Sequence, residues 1–407
     1  MISSRVPQPD LTQDAQVKVD SHCDLTNVDG MKDYIQHRLG VPDVKLEVIA
    51  GGTANYVYRL LGGNKESEGR SWILKHAAGH LSSNPEFNLP PSRMDFEARI
   101  LTHKLKDKIE CHCNNLEPSL VISPAIHVHT VPLIFYDIGL KLLCIRDAGS
   151  RNLFSAYKDL SEDDVQKIGT AIGRWLARLH TETPHSNATG DSGLNNEVGV
   201  MIARHTYNSL SSALSQTCYD AELGLKINSS FGGLLAMDDE SVCHGDFWPG
   251  NVMLQDSSVT GAPEILTVID WEFVRVGSSA TDVGQFAAEA FMLDRFCGNK
   301  GLRSAFLQSY CHTRTHDSPS AVFQQKDRRY KWMTRAAVHF AAHLVFWPSR
   351  QAHWANKEYK KPLLDLAFGI LRDAISSNSD AGVRELFEGV PIGDEIANDM
   401  PTRRTLS

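Results

Sequence analysis

The sequence predicts a two-lobed α+β fold: a small antiparallel-sheet lobe with one main helix, then a larger, mainly helical lobe. Three observations predict it. At 407 residues the chain is too long for one small domain. Strand-type alternation gathers between residues 44 and 145. Beyond Arg146 the apolar residues recur at helical spacing. Residues 1–25 read as a disordered N-terminal segment, 26–145 as the first lobe, 146–378 as the second, and 379–407 as a tail of uncertain order.

A short helix is expected over Asp29–Leu39, ended by Gly40 and Pro42. Val44, Leu46 and Val48 alternate with Lys45 and Glu47 as a strand does. Tyr56–Leu61 forms a second strand before the turn Gly62-Gly63-Asn64, and Ser71–His76 a third, with Ile73 toward the core. Ser92–Lys106 is helical, with Phe96, Ile100, Leu101 and Leu105 on one face. One strand from Ile126 through Tyr136 and another over Lys141–Ile145 complete the lobe.

Ser161 and Asp164 make a capping box for a helix whose face is Val165, Ile168, Ile172, Leu176 and Leu179. Helices follow at 198–216 and 229–237, and a hairpin spans Asn251–Ile269. Arg328–Trp347 is apolar on most of its circumference, which implies burial. Pro362 is placed in the first turn of a last helix.

The net charge of −8 argues against duplex nucleic acid as a partner. No run is long and apolar enough for a membrane span. The eight cysteines form no disulfide framework, and Cys111-His112-Cys113 lacks a second half with zinc-ligand spacing. With no signal peptide, a cytoplasmic setting is expected. His127 and His129 read as a solvent-facing pair.

The chemistry concentrates in His244-Gly245-Asp246-Phe247-Trp248-Pro249-Gly250-Asn251. An Asp followed five positions later by an Asn has the spacing of a kinase catalytic loop. Asp246 can orient or deprotonate an acceptor hydroxyl, while the Asn251 oxygen reaches a metal ion on the phosphates. Both must ride on one short loop to keep in-line geometry. Asp270 ends an apolar strand nineteen residues after Asn251, where the main Mg²⁺ ligand belongs.

These motifs resemble the aminoglycoside phosphotransferase and choline kinase-like family of small-molecule kinases, over about residues 30–375. Leu176–His180 resembles the family's helix before the substrate region, and Asp282 its later, structural aspartate. His244 then holds the loop and is no base. The resemblance implies a protein-kinase-like bilobal fold with ATP and Mg²⁺ as cofactors.

It makes Gly51, Gly52, Thr53, Ala54 and Asn55 the loop over the phosphates, Lys75 the phosphate-binding lysine and Glu97 its ion-pair partner. Leu143, Cys144 and Ile145 would offer backbone groups to the adenine from the linker between lobes. Trp248 is a candidate wall for the acceptor, opposite the 198–216 helix or the Trp332–Trp354 stretch.

The expected activity is transfer of the γ-phosphoryl group of ATP to a hydroxyl of a sugar, amino alcohol, aminoglycoside-like compound or specialised metabolite. The alternative is an inactive kinase-like protein that binds a nucleotide or a partner. A protein kinase is disfavoured, because only eleven residues separate Asp270 from Asp282 and no A-P-E follows. The acceptor's identity and the oligomeric state stay open.

Overall fold

The structure, a computed structural model, describes residues 24–41, 44–50, 52–62, 71–102, 126–182, 193–350, 354, 357–376 and 380–387. Gly51, the turn at Gly63-Asn64, the Cys111–Cys113 cluster, the N-terminal segment up to residue 23 and the tail beyond 387 lie outside the described residues. The chain divides into two units. Met1–Thr102 with Val131–Ala148 make the first, and His103–Thr130 with Gly149–Ser407 the second.

In the first unit, helix α1 (Val28–Arg38) starts at Asn27, whose side chain accepts the Gly30 N–H at 2.9 Å. Strands β1 (Lys45–Val48), β2 (Tyr56–Leu61) and β3 (Ser71–His76) precede helix α2 (Arg93–Thr102). After β4 (His127–Thr130), which belongs to the second unit, strands β5 (Leu133–Asp137) and β6 (Leu142–Arg146) return to the first unit's sheet. Its order is β1-β2-β3-β6-β5, with every neighbouring pair antiparallel.

Register decides which face each residue takes. Leu74 sits opposite Tyr58 and Cys144, and all three join the core with Met31, Tyr34 and Ile35 of α1. Leu74 is therefore the core residue expected at Ile73, which is only half-buried. Val48, on the apolar side of the β1 alternation, is 62% exposed.

One strand expected from Ile126 through Tyr136 is two. Pro132 has no N–H to give a ladder, and the chain changes partner there. β4 belongs to the second unit and runs parallel to a later strand of that unit, at Pro263–Val268, whereas β5 belongs to the first and pairs with β6.

Past β6 the second unit resumes with α3 (Leu153–Ala156) and α4 (Glu162–Glu182). The Ser161 hydroxyl accepts the Asp164 N–H at 3.1 Å and donates to its carboxylate at 2.6 Å. The stripe Val165, Ile168, Ile172, Leu176 and Leu179 is buried. The expected 198–216 helix is broken at Ser209 into α5 (Glu197–Asn208) and α6 (Leu210–Gln216). Helix α7 (Ala221–Ser230) appears where none was expected, capped by Asp220, and the 229–237 helix is a short 3₁₀ turn at Gly232–Ala236.

Strand β7 (Ser241–Cys243) leads to the hairpin β8 (Val252–Asp256) and β9 (Pro263–Val268), then β10 (Arg275–Gly277), which pairs with β7. Helices α8 (Ala280–Cys297), α9 (Leu302–His312), α10 (Ala321–Gln324), α11 (Lys326–Phe346), α12 (Lys357–Ile375) and α13 (Asp380–Leu386) finish the unit. Pro362 lies inside α12 rather than in its first turn, and α13 forms in the segment read as tail.

Helices α8 and α11 touch backbone to side chain at Gly284. A Cβ there would sit 2.8 Å from the Ala336 carbonyl oxygen and 2.9 Å from His339 Cβ. Gly284→Ala must push α11 away, at a cost of about 1–3 kcal/mol and a Tm lower by roughly 5 °C. Calorimetric melting checks this, and an unchanged Tm contradicts so close an approach.

Candidate active site

The segment after β7 is fixed before it reaches Asp246. The N–H groups of His244 and Gly245 donate to the Asp282 carboxylate at 2.7 and 3.0 Å. Asp282 stands in the first turn of α8, where a negative charge is favoured. His244 is buried. Its Nε2 meets the Ile269 carbonyl at 3.0 Å and its Nδ1 accepts the Asp246 N–H at 3.3 Å. Gly245 has φ +91°, and a Cβ there would fall 2.0 Å from the Phe273 carbonyl oxygen. Phe247 is buried against Trp175, His244 and Phe286.

Asp246 is gripped at both oxygens. Gln285 Nε2 donates to Oδ1 at 2.6 Å, and Asn251 Nδ2 donates to Oδ2 at 3.2 Å and to the Asp246 carbonyl at 2.9 Å. Burial, then the negative charges of Asp270 and Glu272, push the Asp246 pKa up to about 6.

With its nitrogen turned to Asp246, Asn251 has a side-chain oxygen of the kind a hard cation takes. Asp270 follows Ile269, whose N–H donates to the Asn251 carbonyl at 3.0 Å, so the two residues are tied through adjacent backbone. Asp270 holds a left-handed conformation, φ 70° and ψ 56°, uncommon for a non-glycine residue. An amide oxygen and a carboxylate are oxygen donors, and they fit Mg²⁺.

In the first unit, Lys75 is buried with its Nζ 2.7 Å from Glu97 Oε2. Asp95, two residues before Glu97 and a rival partner for Lys75 by sequence position, is instead taken by Lys141 at 2.7 Å and by the Tyr136 hydroxyl at 2.5 Å. Arg93 braces the segment Gly52–Asn55 by donating to the Ala54 carbonyl and to Asn55 Oδ1, both at 3.0 Å. The Thr53 carbonyl accepts the Ser83 N–H at 3.1 Å.

Leu143, Cys144 and Ile145 do not meet their expectation. They lie in β6, inside the sheet, paired to β3 on one side and β5 on the other. Their backbone groups are taken up by the two ladders.

A pocket opens beside Asp246 within the second unit. Ile202 and Thr206 of α5, Gln285 of α8, His339 and His343 of α11, and Trp347 line it. The lining thus includes residues of the 198–216 stretch and of the Trp332–Trp354 stretch. Trp248 is not in this lining. Its ring packs tilted against Phe154, with centroids 5.9 Å apart, and covers Gly250, where a Cβ would fall 2.2 Å from the indole. Burial pushes the His339 pKa down to about 3, so its ring is neutral near pH 7. His343 Nε2 lies 2.8 Å from the buried Glu289 carboxylate, which also accepts the Trp354 indole N–H at 3.0 Å.

Sequence reasoning missed Arg93, Gln285, Glu289, His339 and His343. Gln285 and Glu289 had a signal, since they follow Asp282 by three and seven positions on one helical face.

Residues 45–322 match the phosphotransferase enzyme family (APH). The chain belongs to this family. It is an enzyme, a small-molecule phosphotransferase. A 4-hydroxytryptamine kinase of Psilocybe cyanescens is 24% identical over 378 residues, covering 89% of this chain and 97% of that protein. The Psilocybe cubensis 4-hydroxytryptamine kinase is 22% identical over 375 residues, covering 88% and 96%. Among solved structures, a choline/ethanolamine kinase family protein from Mesorhizobium loti is 12% identical, with a TM-score of 0.45 over 89% of this chain and 99% of that one. Among the described residues, no helix is long and apolar enough to cross a membrane.

Asp282 gives this phosphotransferase a pH signature. Burial opposes its ionisation, but the hydrogen bond from His180 and the charge of Arg275 bring its pKa from 3.8 down to about 2, while burial holds the His180 pKa below its usual value, so that ring is a neutral partner near pH 7. A lowered carboxylate pKa stabilises the fold fully above 3.8, and the contribution is lost as pH falls through about 2. Asp282→Asn should therefore cost on the order of 2 kcal/mol at pH 7. Urea unfolding should show the gap to wild type narrowing by pH 3, and a gap that widens there contradicts the assignment.

Proposed function

We propose that this phosphotransferase is an ATP- and Mg²⁺-dependent kinase that moves the γ-phosphoryl group to the ring hydroxyl of an aromatic amine. The observation that carries the reaction is the Asp246 carboxylate, held by Gln285 and Asn251 at the edge of a pocket and close enough to Asp270 to feel its charge. Lys75, Glu97, Asp246, Asn251 and Asp270 are all present, which favours an active enzyme over an inactive binder.

Each residue has one task. Lys75, kept extended by Glu97, would neutralise the phosphates, and the Gly51–Asn55 segment would cover them. Asp270 and the Asn251 oxygen would hold Mg²⁺, whose charge offsets that developing on the transferring group. Asp246 orients the acceptor hydroxyl and takes its proton as the oxygen attacks. Transfer is direct, with no covalent enzyme intermediate. Such catalysis is mostly alignment and charge compensation.

The acceptor class rests on the lining of the pocket and on the relatives. The rings of Trp347, His339 and His343 and the apolar Ile202 suit a flat aromatic system. The carboxylates in the lining are Asp246 and Asp282, and Asp282 already holds two backbone N–H groups and His180. A polycationic aminoglycoside asks for more acidic groups than that. The relatives' named acceptor, 4-hydroxytryptamine, is an indole with a ring hydroxyl.

Two variants separate the two aspartates. Asp270→Ala should abolish turnover and greatly weaken Mg²⁺-ATP binding. Asp246→Asn should keep nucleotide affinity within about a few fold while lowering turnover on the order of a hundredfold or more. Calorimetric titration with Mg²⁺-ATP and steady-state kinetics check both, and a collapse of affinity in Asp246→Asn would make that residue a metal ligand instead. For the acceptor, ADP release with Mg²⁺-ATP should be stimulated more by 4-hydroxytryptamine than by choline or kanamycin. The reverse order removes the aromatic reading but leaves phosphotransfer standing.

A further inference from the structure

Asp246 can act only if its carboxylate plane is held toward the incoming hydroxyl. Two amides hold it, and they differ in what else they do. Asn251 grips Oδ2 at 3.2 Å, and its own oxygen is proposed above for the metal. Gln285 grips Oδ1 at the shorter distance of 2.6 Å, from a different element. It stands on α8 three residues after Asp282, on the same helical face. One face of α8 thus fixes the loop twice: Asp282 through the backbone of His244 and Gly245, and Gln285 through the Asp246 side chain.

Gln285 also borders the pocket and is only half-buried, so the core of α8 does not depend on its side chain. A carboxylate held at one oxygen can swing about its own axis, whereas one held at both cannot. We propose that Gln285 is a positioning residue for the phosphoryl-transfer step, setting the plane of the Asp246 carboxylate toward the acceptor and taking no part in nucleotide binding. This inference rests on the phosphotransfer reading above.

Gln285→Met keeps the side-chain length and removes the donor. Gln285→Glu keeps the shape and sets a second carboxylate against Asp246. Both are assayed with Mg²⁺-ATP and 4-hydroxytryptamine, and with Mg²⁺-ATP and water alone as the acceptor. In each variant kcat should fall on the order of ten- to a hundredfold, with the KM for ATP within about twofold. The melting temperature of Gln285→Met should stay at the wild-type value.

An unchanged kcat in Gln285→Met overturns the proposal. So does a kcat loss that comes with a raised KM for ATP or a lowered melting temperature, because that pattern belongs to a packing role. A crystal structure of Gln285→Met gives a second reading: a rotated Asp246 carboxylate supports the proposal, and an unmoved one contradicts it. A wild-type enzyme that turns over neither acceptor would instead defeat the aromatic-acceptor reading, and the crystal structure of Gln285→Met would still decide the Gln285 proposal.

Discussion

Asp282 takes two backbone N–H groups, from His244 and Gly245, and the placement of the reaction centre follows from those bonds. The left-handed turn at Gly245 brings the chain under the Phe273 carbonyl, where no side chain fits. Phe247 anchors the loop in the core on the far side. Between these fixed points Asp246 has little freedom, and the 3₁₀ turn at Pro249–Asn251 delivers Asn251 back to it. Buried charge is costly unless fully paired, and Asp282 meets that condition with His180 and two N–H groups. His180 comes from α4, so three elements converge on one carboxylate.

The first unit uses the same device with other residues. Arg93 and Glu97 lie four residues apart on α2, both buried, facing one way. Arg93 fixes Ala54 and Asn55, while Glu97 fixes Lys75. One helix therefore sets the position of both groups proposed to meet the phosphates. The acceptor pocket follows a different logic. The family match ends at residue 322, whereas His339 and His343 belong to α11 beyond it. The machinery proposed for transfer lies within the shared stretch, and part of the wall proposed to select the acceptor lies outside it.

Sequence alone carries most of the fold because its periodicities are local. The stripe of α4 and the alternation in β2 and β3 need nothing distant to be read. The catalytic loop is legible for a related reason: an Asp and an Asn five apart must share one short turn to do their work. What escaped depends on distant partners. β4 joins β9, more than a hundred residues later, in a parallel ladder that no local pattern announces. The commitment of β6 to two neighbours is likewise a property of the sheet, so its backbone could be mistaken for free. Trp248 could face the pocket or the loop from sequence alone, and contact with Phe154 and Gly250 places it away from the pocket lining. Gln285 was within reach, since Asp282 had already marked that face of α8.

The central claim is that the γ-phosphoryl group of ATP ends on an acceptor hydroxyl. The direct measurement incubates the enzyme with Mg²⁺, ATP labelled with ¹⁸O on the γ-phosphoryl group, and 4-hydroxytryptamine, then follows the acceptor by mass spectrometry. The account predicts a phosphate monoester on the ring oxygen that carries the label. Label found only in inorganic phosphate, with the acceptor unchanged, would contradict it.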